Sequence, residues 1–349
     1  MRPLLLPPNV IEHFYLGGRL LAALRGVDLP STRRPEEWLA ATVHRADDPT
    51  VGSSRLADGR LFADVVAADR EGWTGFAAGA PSADAADTGV LVKLLDAGQR
   101  LPVHVHPTRE FARAHLHSCY GKTEAWYVLA AEGDDPAVWV GWRDEVDPAE
   151  LAASIDAQDS AWLLDRLNKI TVRPGDGILV PAGEPHATGA GVFVVEVQEP
   201  TDFSILLEWS VTSATRDESH LDLGFDLALR AVDHRATTAT GLAAVRHHVD
   251  PEARSDALLC ALPAAADPFF RIDIAAPLGS AVAVEAGFAV MIVLDGDGEL
   301  GWTLCGAQEQ VSIVRGQAWA VPAGIGTWTV DGDVRAVVCR PSAKWPDIS

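Results

Sequence analysis

Gly175-Asp176-Gly177-Ile178-Leu179-Val180-Pro181-Ala182-Gly183-Glu184-Pro185-His186 returns 141 positions later as Gly316-Gln317-Ala318-Trp319-Ala320-Val321-Pro322-Ala323-Gly324-Ile325-Gly326-Thr327. Both stretches hold a glycine, a short apolar run and then Val-Pro-Ala-Gly at matched offsets. A second pair precedes them in the same order, Trp126-Tyr127-Val128-Leu129 and Met291-Ile292-Val293-Leu294. Apolar runs of this length bounded by Gly and Pro read as strands. Two matched pairs in one order predict a duplicated β-rich unit.

The copies differ where chemistry would sit. His186 closes the first stretch and Thr327 the second, and Glu124 before the first strand is answered by Ala289. Upstream, His104-Val105-His106 has no counterpart before the second copy. Side chains on a strand repeat every two residues, so the two imidazoles share a face. With Glu124 and His186 they make a three-imidazole, one-carboxylate set that suits a divalent first-row metal. His115 and His117 also form an HxH, in a polar stretch read as irregular and exposed. One ion is therefore expected on His104, His106, Glu124 and His186. Zinc is the first expectation, with Mn, Fe, Co and Ni as alternatives.

Other strands are expected over Gly89–Leu95, Ala125–Ala130, Ala137–Trp142, Gly177–Pro181, Gly191–Gln198 and Ser204–Ser210. Asp147, followed by Pro148 at a first helical position, predicts a helix running to about residue 168. Leu221, Phe225, Leu229 and Val232 predict another over about 217–232. The small, polar run 237–241 marks a linker, dividing the chain into 1–236 with the metal set and 237–349 without it.

At 349 residues and 48% hydrophobic the chain can bury two cores, and a formal charge of −21 opposes nucleic acid and anionic membranes. The apolar run in the first eight residues is too short for a signal peptide, and an apolar stretch of spanning length is lacking. Four scattered cysteines (Cys119, Cys260, Cys305, Cys339) without a CxxC fit buried reduced thiols. A cytoplasmic location is the expectation, and self-association is left open.

Gly17-Gly18, Glu37-Trp38, Leu91-Val92-Lys93-Leu94-Leu95, Val103-His104-Val105-His106-Pro107, Gly121-Lys122-Thr123-Glu124-Ala125-Trp126-Tyr127, Pro181-Ala182-Gly183 with His186, and Glu196-Val197-Gln198 with Asp202 occur in that order. Over most of the first 235 residues the sequence resembles the type I phosphomannose isomerases, metal-dependent cupins. The resemblance implies a mainly β fold, a bicupin of two jelly-roll β-barrels with helical insertions. It also implies aldose–ketose isomerisation of a sugar or sugar phosphate through an enediolate. Asp202 and Lys93 match positions used near the reacting sugar. Lys122, two residues from Glu124 and so on its face, is expected to stabilise an oxyanion or shuttle a proton. Lys93 in an apolar strand is expected to have a depressed pKa, and Glu196 is a candidate base or partner of the site.

The sequence departs from the family at three places. His104 replaces a glutamine, Pro102 a serine, and Leu206 an arginine. Loss of a bidentate phosphate ligand opens an alternative, an isomerase of unphosphorylated sugars such as lyxose or mannose, unless Arg19, Arg109 or Arg113 substitutes. Two further readings carry less support: a non-catalytic sugar-binding or regulatory cupin, and an iron-dependent dioxygenase.

Overall fold

In the computed structural model, residues 1–46, 48–77 and 84–347 are described. The architecture is mainly β with helical insertions. Three sheets carry it, of seven, five and eight strands.

The seven-stranded sheet includes Glu36–Leu39, Leu91–Asp96, Glu124–Ala131, Asp176–Val180 and Val192–Gln198. Its inner face packs Leu95, Trp126, Val128, Ile178 and Val194 against Val138, Val140 and Ile170 of the five-stranded sheet. That smaller sheet is ordered Ile205–Leu206, His104–Val105, His186–Thr188, Ala137–Trp142 and Leu167–Thr171.

The repeated sequence is a repeated pairing. Trp126 pairs with Ile178 on one side and Glu196 on the other. Met291 pairs with Trp319 and Val338 in the same way. The matched offsets of the two sequence echoes predict this alignment to the residue. The register continues outward, Glu196 to Lys93 to Trp38 and Val338 to Asp273 to Cys260. Gly175 and Gly316, which open the echoed stretches, both have left-handed φ (91° and 86°). A Cβ at either would lie 2.1–2.2 Å from a backbone carbonyl, so both need glycine.

The outer faces of the seven- and eight-stranded sheets pack on each other. Val92, Leu94, Tyr127, Val195 and Val197 share one core with Phe270, Ile272, Val290, Ile292 and Val337. Each sheet also takes a strand from the other half of the chain: Leu4–Leu5 pairs with Trp319 and Ala320, and Arg246–His248 with Asp176–Ile178.

The expected helices are more broken than their periodicity suggests. The segment after Asp147 forms two helices, Pro148–Ala157 and Ser160–Arg166. Gln158 adopts a left-handed conformation (φ 52°), and Asp159 starts the second helix by accepting from Trp162 N at 2.9 Å. Over 217–232 there are only short pieces, Asp217–Ser219, Phe225–Ala228 and Leu229–Ala231. Leu221, Asp222 and Gly224 all have positive φ there and interrupt the helix. The run after Thr238 is a short helix, Ala239–Ala244, capped by the Thr238 hydroxyl. Ser204–Ser210 contains only the two-residue strand Ile205–Leu206. All four cysteines are free, but only Cys339 is buried, and Cys260 and Cys305 are exposed, contrary to the expectation of buried thiols.

Candidate metal centre

The seven- and five-stranded sheets meet at a cluster of four buried side chains. Glu124 begins its strand in the larger sheet, and His104 and His186 are direct partners on neighbouring strands of the smaller one. His106 follows just past the His104–Val105 strand. One potential ligand atom from each of the four lies within 4.8 Å of all the others.

The three rings are oriented from behind by backbone carbonyls. His104 Nδ1 is 2.9 Å from Pro102 O, His106 Nδ1 2.7 Å from Phe203 O, and His186 Nδ1 2.9 Å from Glu184 O. Donation from Nδ1 fixes the tautomer and leaves each Nε2 as an acceptor directed inward. His106 Nε2 is 3.0 Å from Glu124 Oε2, and His186 Nε2 is 3.4 Å from Glu124 Oε1.

Two of these atoms, Glu124 Oε2 and His186 Nε2, are buried without a hydrogen-bond partner. Lys122 Nζ is 3.0 Å from that carboxylate oxygen, but as an ion pair without hydrogen-bond alignment. Unsatisfied buried acceptors are costly, and a cation among them would satisfy the set together. The residues therefore fit a divalent metal.

Protonation states agree with that fit. Burial, then the neighbouring imidazoles, holds His104 well below the ordinary histidine value. Burial, then the Lys122 ammonium, brings His106 to about 3. Burial alone would raise the Glu124 carboxyl, but Lys122 and His106 outweigh it and hold it well below the usual range. Neutral imidazoles beside an ionised carboxylate are the forms that bind metals.

Lys93 and Glu196 lie one strand pair deeper, with Glu196 opposite both Trp126 and Lys93. Lys93 Nζ is 3.3 Å from Glu36 Oε2, 3.5 Å from Glu196 Oε1, and 4.7 Å from the Trp38 ring centroid. The sequence suggests a depressed pKa for Lys93, and the structure reverses that. Burial pulls it down, but Glu36 and Glu196 together raise it above the ordinary lysine value. Glu196 moves upward to about 7, through burial first and the Glu124 charge second.

Asp202 is half-buried and accepts from the Ala46 amide at 3.1 Å, while its charge reaches Lys93 and His13. Leu206 is the direct cross-strand partner of His104, so an apolar side chain flanks the first imidazole. Arg19 pairs with Glu132, eight residues along the strand from Glu124 and so about 26 Å away at the usual strand rise. Arg109 is nearer, with Nε 2.6 Å from Glu199 Oε1 and its guanidinium over the Phe269 ring. His115 is exposed, as expected, although it closes a helix, Arg109–His115, instead of lying in an irregular stretch.

Sequence reasoning did not single out Glu36, Tyr15 and His13. Glu36 accepts from the Tyr15 hydroxyl and from Trp38 Nε1 (2.9 Å), and lies 3.5 Å from His13 Nε2. Two adjacent acids in a short, otherwise apolar strand were the available signal, since such a charge stays buried only when paired.

The chain resembles known proteins over this same region and beyond. No protein-family model matches it. A Bacillus subtilis protein described as "Probable mannose-6-phosphate isomerase" is 34% identical over 200 residues, 57% of this chain and 59% of that protein, so the match spans less than two-thirds of its length. The mannose-6-phosphate isomerase of Streptococcus mutans is 28% identical over 339 residues, 96% of this chain and 97% of that one. The crystal structure of the mannose 6-phosphate isomerase from Bacillus subtilis superposes with a TM-score of 0.71 at 22% identity, covering 97% of this chain and all of that one. The chain is thus similar to mannose-6-phosphate isomerases along nearly its whole length and shares the fold of those whose structures are solved.

Proposed function

We propose that the protein is a metal-dependent aldose–ketose isomerase acting on a sugar or sugar phosphate. The observation that carries the proposal is the buried His104, His106, Glu124 and His186 cluster with two unsatisfied inward acceptors. These four residues would hold one divalent ion, with zinc as the first choice for three imidazoles and a carboxylate, and Mn, Fe, Co or Ni as alternatives. Such an ion supplies Lewis acidity to a sugar carbonyl. Lys122 brings a positive charge to the edge of the cluster, where negative charge develops on a reacting oxygen. Glu196, with a pKa near neutrality, is suited to take a proton from carbon and return it to the neighbouring carbon. Lys93, held protonated by Glu36 and Glu196, positions that carboxylate and is not itself a base. Asp202, whose charge reaches Lys93, would contact the sugar. The catalytic unit is 1–236, and 237–349 is a metal-free copy in which Ala289 stands at the place of Glu124.

An unphosphorylated substrate is the second reading, and Leu206 beside His104 favours it. The test compares kcat/KM for mannose 6-phosphate, mannose and lyxose, with each metal supplied singly. Turnover of at least one pair, about one metal per chain, and loss of both in H106A/E124A are expected. Full metal retention in that double variant overturns the assignment. Leu206→Arg should raise the preference for the phosphorylated sugar by about tenfold or more.

A further inference from the structure

The matched register gives the central strands of the metal-bearing sheet counterparts in the second half of the chain. Glu124 corresponds to Ala289, Lys93 to Asp273, Gln198 to Arg340 and Leu91 to Arg271. The inner face of the second unit is otherwise apolar, with Met291, Trp319, Trp328 and Val338 in its core. Strand alternation directs Arg271, Asp273 and Arg340 to this inner face, because Ile272, Ile274, Val337 and Cys339 lie in the core on the other side.

Arg271 and Arg340 are direct cross-strand partners. Like charges directly opposite on one face repel, and here both are at least partly desolvated. Arg340 is only 5% exposed. Its Nη2 donates to Asp273 Oδ2 at 2.6 Å, but its Nε is buried without a partner, and so is the Nε of Arg271. Burial, then the Arg340 charge, pulls Arg271 below its ordinary value, while Asp273, Glu285 and Asp267 act in the opposite sense. Asp273 thus meets one of the two guanidiniums directly, and each guanidinium keeps an unpartnered Nε.

We infer that Arg271 and Arg340 form a phosphate-binding site on the inner face of the second unit, beside Ala289, the counterpart of Glu124. Guanidinium groups present planar N–H donors matched to phosphate oxygens, and with Asp273 paired to Arg340 a phosphate monoanion balances the charge left on Arg271. The phosphate can be free or carried by a sugar, since the two arginines read only the group itself.

Isothermal titration calorimetry of the metal-free protein, in phosphate-free buffer, tests this with inorganic phosphate, mannose 6-phosphate and mannose in turn. Metal-free protein keeps phosphate from binding an ion in the first unit. One phosphate per chain should bind, mannose should not, and Arg271→Gln should weaken binding by about tenfold or more. Arg340→Lys, which keeps the charge but loses the planar fork, should weaken it while circular dichroism shows a folded protein. Arg271 is partly exposed, so its variant still decides the matter if the Arg340 variant fails to fold. Absence of phosphate binding at millimolar concentration, or equal binding by wild type and Arg271→Gln, overturns the assignment.

Discussion

Lys93 and Glu196 show how burial and charge pull against each other within one contact. An apolar strand desolvates both, which alone would neutralise the lysine and the acid. Glu36 changes the outcome, because its carboxylate, 3.3 Å from Lys93, keeps the ammonium charged. Glu196 is left between the favourable Lys93 and the unfavourable Glu124 and settles near 7. A carboxyl raised from about 4.3 to that value supports the folded state fully below the unfolded pKa, and the support is lost as pH rises through 7. In metal-free protein, the stability of wild type minus that of Glu196→Gln should therefore fall between about pH 5 and pH 8. Urea unfolding at stepped pH measures that difference, and a flat difference would show Glu196 to be ionised throughout. Lys122 makes a different prediction, since its charge faces the cluster from outside the donor set. Lys122→Ala should keep metal content and fold while losing about 100-fold in turnover on the best substrate. Activity within a few-fold of wild type would remove it from the chemistry.

Among the elements, the strands followed the sequence closely and the helices did not. Ala137–Trp142 has the expected bounds, and Val192–Gln198 and Asp176–Val180 begin within a residue of expectation. These strands are short apolar runs with glycine at or beside their ends, so local sequence and burial agree. The helix after Asp147 was readable at its start, where Asp147 accepts from Ala149 N and Glu150 N. Its break was not, because Gln158 is held by the rest of the fold: its side chain donates to Ile155 O and Leu207 O and accepts from Trp209 N and Ser210 N. Most of those partners are far away in sequence and leave no local signature. Asp159 restarts the chain, so Asp159→Ala should lower stability by about 1 kcal/mol, read as a shift in urea midpoint with unchanged slope. An unchanged midpoint would mean that packing, not the cap, holds the second helix.

Across the whole molecule, the two halves are joined by a shared core and by the buried guanidinium of Arg25. Arg25 Nε is 2.8 Å from Glu37 Oε2, and both side chains are nearly inaccessible. The same guanidinium donates to Gly316 O, at the start of the second echo, and to Leu6 O. Truncating Arg25 would leave the buried Glu37 carboxylate with the Asn9 amide and without a cation. Arg25→Ala should cost about 3–5 kcal/mol in chemical unfolding, and Arg25→Ala/Glu37→Gln should recover part of that loss. Equal stability of the single and double variants would show that the Glu37 carboxylate left without Arg25 is not the source of the loss. Among the described residues, no helix is long and apolar enough to cross a membrane.

The duplication, the strand alignment between the copies and the four-residue donor cluster were all determined by sequence alone. Each rests on local pattern: period-two alternation, Gly and Pro at strand ends, and imidazoles and a carboxylate in fixed order. The partners of the buried charges were decided only by tertiary structure. Whether Lys93 is neutral or charged depends on Glu36, distant in the chain but on the neighbouring strand, and the Arg271–Arg340 pair exists only through strand register. Electrostatic interactions act through space at a few ångströms, so chain separation carries no record of them until the sheets are assembled.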